Sequence, residues 1–235
     1  MTRAFVDLHV HTSASFDSLA SPRAVVRAAA ARGLTHLAIT DHDAIDGALA
    51  AREIARVETP ELTVIVGEEV KTTAGDLICI FLERSIPAGL AAADAIAEAR
   101  SQGALVGIPH PFDRFRGSLL VDDAMGELAP LVDWVEAHNA RVMVGRGNER
   151  AAAFARENGL PGLAVSDAHS VLEIGVAYVA LDGADVDPAT PAGLLAALPA
   201  AELVTGRATV FVRAVTPVAK LVQRARGHGR IASAR

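Results

Sequence analysis

Three of the four histidines in the first forty-three residues stand among carboxylates, as Asp7-Leu8-His9-Val10-His11, then Asp17, then Thr40-Asp41-His42-Asp43. His9 and His11 follow an apolar run, Ala4-Phe5-Val6, that reads as a buried strand. Residues i and i+2 of a strand point to one face, so both imidazoles aim at one place. Imidazole with carboxylate suits Zn²⁺, Fe and Mn-type centres. Similar groups recur downstream: Glu68-Glu69 after Thr63-Val64-Ile65-Val66-Gly67, then His110 in Pro109-His110-Pro111, Glu136 and Asn139, and Asp167-Ala168-His169. Of the two adjacent glutamates, one faces inward and needs a cation or a hydrogen-bonded partner.

The elements that must position these residues alternate along the chain. Strands are expected at 4–10, 35–40, 62–70, 76–82, 104–108, 132–137, 162–166, 176–181 and 209–212. Helices are expected at 22–32, 46–57, 89–102, 122–129, 147–158, 191–198 and 217–226. Ser21-Pro22 supplies a capping serine with proline in the first turn, and Gly33 ends that helix. The alternation predicts a parallel α/β architecture, most simply a barrel. Each polar group lies at the far end of a predicted strand, and in a parallel barrel those ends share the active-site face. Residues 1–212 are read as the barrel domain and 213–235 as a basic helix and tail, not a separate domain. Helix 217–226 is expected to dock through Val218, Leu221 and Val222, and His228 reads as part of a disordered tail. Trp134 reads as core.

The 235 residues suffice for one domain with a sizeable core. One cysteine, Cys79, excludes an intrachain disulfide and thiolate metal sites. No leader and no long apolar run is seen, so a cytoplasmic location without membrane contact is expected. The formal charge is −6, yet no acid follows Glu202, while Arg207, Arg213, Lys220, Arg224, Arg226, Arg230 and Arg235 do. The earlier residues are therefore strongly acidic, which disfavours long nucleic acid as a partner.

Taken together, these motifs resemble the PHP family, named for polymerase and histidinol phosphatase domains. The resemblance rests on Asp-Leu-His-Val-His-Thr, Thr40-Asp41-His42-Asp43, Gly67-Glu68-Glu69, Pro109-His110-Pro111 and Ser166-Asp167-Ala168-His169, in the family's order. Ser166 to Tyr178, with Glu173-Ile174-Gly175, is similar to the ending of small stand-alone members. The resemblance implies a distorted (β/α)7 TIM-like barrel holding two or three divalent metal ions. It would give His9, His11, Glu69 and Asp167 to a first metal. Glu69 would bridge to a second, held also by His110 and by Asp76, which stands where many members have histidine. Asp17, His42 and His169 would hold the third. The added carboxylate shifts expectation from zinc alone toward manganese or iron.

Two cations about 4 Å apart lower the pKa of a shared water, hold hydroxide at neutral pH and clamp phosphate oxygens. The expected activity is therefore hydrolysis of a small phosphorylated metabolite or nucleotide. Alternatives are an exonuclease or phosphodiesterase acting on short nucleic acid ends, and a non-catalytic metal-stabilised scaffold. The only lysines are Lys71 and Lys220, and Lys71 is poorly placed for a carbamylated metal bridge. Phosphate recognition calls for cations beyond the metals, with Arg114, Arg116 and Arg141 as candidates. Asn139 is a candidate substrate contact. Asp41 and Glu136 are candidates for orienting ligands or assisting catalysis. His138, set off from the Glu136 face but near the mouth, is a candidate proton donor.

Overall fold

A mixed nine-stranded sheet, curled almost into a closed barrel, organises this computed structural model. It describes residues 3–113, 122–142, 146–182, 187–209, 212 and 215–229. The strands are β1 (Arg3–Val10), β2 (His36–His42), β3 (Thr63–Lys71), β4 (Asp76–Ile80), β5 (Leu105–Ile108), β6 (Trp134–Asn139), β7 (Gly162–Val165), β8 (Tyr178–Asp182) and β9 (Glu202–Val204). The helices are α1 (Pro22–Ala31), α2 (Asp46–Glu58), α3 (Ala92–Ser101), α4 (Asp122–Leu128), α5 (Gly147–Glu157), α6 (Pro191–Ala197) and α7 (Val215–Ala225). The expected Ser21 cap is present, with Ser21 Oγ accepting from the Ala24 N–H at 3.3 Å.

In space the strands run β7-β6-β5-β4-β3-β2-β1-β8-β9. The chain is therefore α/β and barrel-like, but the sheet is not wholly parallel. β1, β2 and β3 are mutually parallel, as are β5, β6 and β7; β4 lies antiparallel between the two groups, and β8 antiparallel to β1. The physical reason is the short link from β3 to β4, Thr72 to Gly75, which makes a hairpin, whereas a parallel crossover needs a dozen or more residues. Closure comes from the segment after β7. The His11 N–H donates to the Ala168 carbonyl at 2.8 Å, and Val10 bridges Ala168 in parallel.

Two apolar layers hold this arrangement. Inside the curl, Val6, Leu8, Ala38, Ile65, Ile80, Trp134 and Leu163 pack together. Outside, Val10, Ile39, Val66 and Val135 meet helix residues such as Val25, Val26, Ala48 and Ala95. Two β-bulges interrupt the alternation where it matters. The β1–β2 register runs from Asp7↔Leu37 to Val10↔Ile39, one extra residue on β1, so Leu8 and His9 both turn inward. The β6–β7 register likewise slips between Glu136↔Leu163 and His138↔Ala164. Glu136 and Asn139 thereby share the interior face.

The described C-terminal segment corrects two expectations. α7 does not dock through the expected face: Val218 and Leu221 are 57% and 69% exposed and Val222 is only partly buried, while Ala219 and Gln223 are fully buried. His228 is also not a remote tail residue, because it lines a cavity beside His42. The strand expected at 209–212 falls largely outside the described residues, and the short edge strand β9 was not expected. Among the described residues no helix is long and apolar enough to cross a membrane.

Candidate metal centre

The strand ends converge as expected. His9 Nε2 and His11 Nε2 approach to 3.0 Å. Each lies 3.3 Å from Glu69 Oε2 and 3.6 Å from Asp167 Oδ1. Donors held about 2.0–2.3 Å from one tetrahedral cation stand roughly 3.3 Å apart, so this spacing fits a shared ion. The tautomer of His9 fits as well. Its Nδ1–H donates to Glu136 Oε1 at 2.7 Å, which leaves the Nε2 lone pair facing the cluster.

A second group adjoins the first. One atom each from His11, Asp17, His42 and His169 lie within 4.8 Å of one another. His169 Nε2 is 3.2 Å and His42 Nε2 3.5 Å from Asp17 Oδ2. His169 Nδ1–H donates to the Asp167 carbonyl at 2.9 Å, again leaving Nε2 for the cluster. A third group joins His42, Glu69 and Asp76, because β2 pairs His42 with Glu69 and β4 returns Asp76 beside the same strand. His110 Nε2 meets the other Glu69 oxygen, Oε1, at 3.0 Å. His11 and His42 thus each adjoin two groups, which the sequence reading did not assign to them.

Electrostatics support the same reading. Burial alone disfavours charge on His9, but Asp167, Glu136 and Glu69 outweigh it and raise its pKa well above the usual imidazole range. Burial likewise opposes ionisation of Glu69 and Asp17, yet facing imidazoles hold both well below the ordinary carboxylate range: His42 and His9 for Glu69, His169 and His42 for Asp17. Burial, helped by Arg141, pushes His169 down to about 3. Asp17, Glu69, Asp76, Glu136 and Asp167 are all at most 3% exposed. Such a pocket calls for positive charge. Two of the ligand candidates sit in left-handed backbone, His110 at φ 27° and Asp167 at φ 52°, strain of the sort concentrated at functional sites.

The remaining candidates separate. Glu136 is a hub: Oε1 takes the His9 proton donor, and Oε2 accepts from the His110 N–H at 2.7 Å and from Asn139 Nδ2 at 2.9 Å. Asn139 is not directed at a substrate; its Nδ2 also donates to Asp167 Oδ2 at 2.9 Å, and Oδ1 accepts from the Arg141 N–H. His138 is not brought to the cluster. The bulge turns it outward, where its Nε2 bonds the Gly206 carbonyl at 2.7 Å. Asp41 takes the Thr12 N–H and Oγ–H, both at 2.6 Å, and so fixes the loop carrying Asp17. Arg141 is 5% exposed, its guanidinium set between Thr216 Oγ1 at 2.7 Å and Glu173 Oε1 at 3.5 Å. Arg114 and Arg116 lie outside the described residues. Glu68, the outward neighbour of Glu69, accepts from Ser85 Oγ and the Ile86 N–H, and burial raises it to about 7.

Several supporting residues escaped the sequence reading. Asp7 accepts the Ser166 and Gly175 N–H groups and ties β1 to the loop after β7. Ser15 donates to Asp17 Oδ1 at 2.9 Å. Glu173 accepts the His169 N–H at 3.1 Å. Asp7 and Glu173 sat within quoted motifs, whereas a serine in a polar loop carries no local signal.

The family pattern described as PHP domain matches residues 7–124, and the one described as PHP-associated matches residues 145–203. An uncharacterized protein of Methanocaldococcus jannaschii is 34% identical over 177 residues, covering 74% of this chain and 69% of its own. A two-domain protein containing a predicted PHP-like metal-dependent phosphoesterase, from Bacteroides vulgatus, shares the fold with a TM-score of 0.69 at 20% identity. That match covers 87% of this chain and 65% of the other, so this chain spans just under two thirds of that protein. A lesion-specific endonuclease from Pyrococcus furiosus gives a TM-score of 0.61 at 17% identity, over 86% of this chain and 58% of its own.

Proposed function

We propose that this chain, which belongs to the PHP domain family, is a metal-dependent phosphoesterase that hydrolyses a small phosphorylated molecule. The observation that carries the proposal is the convergence of His9, His11, Glu69 and Asp167 on one point, with Glu136 fixing the tautomer of His9. The residues of the second and third groups would hold further ions beside it, with the two Glu69 oxygens available to both sides. Divalent cations in such a centre activate water near neutral pH and neutralise phosphate oxygens. Mn²⁺, Fe²⁺ and Zn²⁺ all suit a mixed imidazole and carboxylate set.

The protein's own groups do the rest. Glu136 and Asn139 lock three ligands, His9, His110 and Asp167, against one another. Asp41 fixes the Asp17 loop through Thr12. No side-chain nucleophile is required by this arrangement.

Metal analysis of freshly purified protein, with turnover of p-nitrophenyl phosphate and bis-p-nitrophenyl phosphate before and after chelation, tests the reading. Two or more bound ions and chelator-sensitive monoester cleavage are expected. His9→Ala should fold yet lose about 100-fold or more in kcat, the scale on which a lost electrostatic stabiliser acts. Preferential diester cleavage would move the activity toward that of a nuclease, as in the endonuclease that shares this fold. Protein that stays inert with all three metals would leave the scaffold reading standing.

A further inference from the structure

We propose that α7 and the Gly227-His228-Gly229 turn after it form part of the substrate site. Lys220 contacts the phosphate to be released, and residues 227–229 wall the space for the group it leaves. The proposal rests on the phosphoesterase reading and adds the residues that recognise the substrate.

α7 is fastened to the metal centre itself rather than to the general core. Gln223 is fully buried, and its Nε2 donates to the carbonyls of Ser13, Ser15 and Ser18 at 2.7, 2.9 and 2.9 Å. Those carbonyls belong to the loop that carries Asp17. One turn earlier Ala219 is fully buried, and a further turn back Thr216 accepts from Arg141. Thr216, Ala219 and Gln223 follow helical spacing and make one docking face. That face fixes where Lys220 must lie. Its Nζ stands 4.0 Å from Asp17 Oδ2 and 5.3 Å from the centre of the Phe16 ring. A half-exposed ammonium held beside a candidate metal ligand is placed to meet an anion arriving from solvent. Arg141, another cation among the described residues, has its guanidinium against Glu173 and Thr216.

The helix then stops abruptly. Gly227 takes φ 85°, and the His228 N–H returns to the Gln223 carbonyl at 2.9 Å, a Schellman ending that reverses the chain. The reversal lays Gly227, His228 and Gly229 across a cavity of about 280 Å³ whose other walls include Ala14, Phe16, His42 and Asp43. His42 is shared with the metal centre, so a phosphate there would direct its leaving group into this space. The volume lies at the small end for ligand pockets and fits an aryl-sized group.

Metal-loaded wild type, Lys220→Ala, Lys220→Arg, His228→Ala and, as an exposed control, Arg226→Ala would be compared by metal content, calorimetric binding of inorganic phosphate, and p-nitrophenyl phosphate kinetics. Lys220→Ala should weaken phosphate binding and raise KM about tenfold or more with metal content unchanged, and Lys220→Arg should recover most of the loss. His228→Ala should raise KM for the aryl phosphate while phosphate affinity holds. Arg226→Ala should match wild type. The proposal is overturned if Lys220→Ala and His228→Ala match wild type, or if Lys220→Ala loses metal in step with phosphate binding, which would make the lysine a support for Asp17. A wild type that binds phosphate through Lys220 but cleaves no ester would instead sink the phosphoesterase reading alone.

Discussion

His9 can face a metal only while Glu136 keeps its proton on Nδ1. The carboxylate accepts from three donors, His9 Nδ1, the His110 N–H and Asn139 Nδ2. In Glu136→Gln the amide oxygen would stay with the latter two, and the amide N–H₂ would point at His9 Nδ1. That imidazole must then carry its proton on Nε2 and cannot ligate. Metal affinity should fall by about 10–100-fold, the usual cost of losing such a partner. Competitive chelator titration measures it, and unchanged affinity would remove Glu136 from its assigned role. At this scale the ligand candidates were legible because imidazole and carboxylate at strand ends have few other uses. The uses of Asn139, Arg141 and His138 were not legible. An amide between two carboxylates, a guanidinium between Thr216 and Glu173, and an imidazole turned outward by a bulge all depend on partners distant in sequence.

Elements place these residues through features smaller than a strand or a helix. The alternation of apolar runs located most strands and helices within a few residues, since burial and capping are local signals. Strand direction is not local, and the parallel expectation failed at β4 and β8. The clue was present in the four residues from Thr72 to Gly75, too few for a crossover. Bulges in β1 and β6 had no comparable clue, since each is an extra residue in a pairing that only the folded sheet defines. α2 shows how tightly an element is fitted to the site. A Cβ at Gly47, in its first turn, would collide with Asp41 Oδ2 and Thr12 Oγ1, the pair that fixes the Asp17 loop. Gly47→Ala should therefore cost about 1–3 kcal/mol, as overpacked sites do. It should also lower metal stoichiometry, because the displaced loop carries Asp17. Thermal melts and metal analysis together check this, and a variant with wild-type values in both would show that the clamp is dispensable.

For the molecule as a whole, the barrel mouth collects carboxylates that burial would otherwise expel. Asp17, Asp41, Glu69, Asp76, Glu136 and Asp167 are each at most 3% exposed. Among the described residues, imidazolium, Lys220 and Arg141 are set against that charge in metal-free protein, so cations bound at the mouth would contribute to folding as well as to chemistry. A ligand present at 100 times its Kd stabilises by about 2.7 kcal/mol, which corresponds to about 5–10 °C in Tm for a chain of this size. Cys79 offers an independent reporter. It is fully buried in β4, paired with Glu68 on β3 and Val106 on β5. Burial, reinforced by the Glu68 charge, pushes its thiol pKa far above the ordinary range, so reaction with a thiol reagent requires the sheet to open. Labelling of metal-loaded protein should be slow, and chelation should accelerate it by about 100-fold, matching the same free energy. Equal labelling rates and equal Tm with and without chelator would mean that the carboxylate cluster is stable without cations, and the metal-centre assignment would lose its energetic basis.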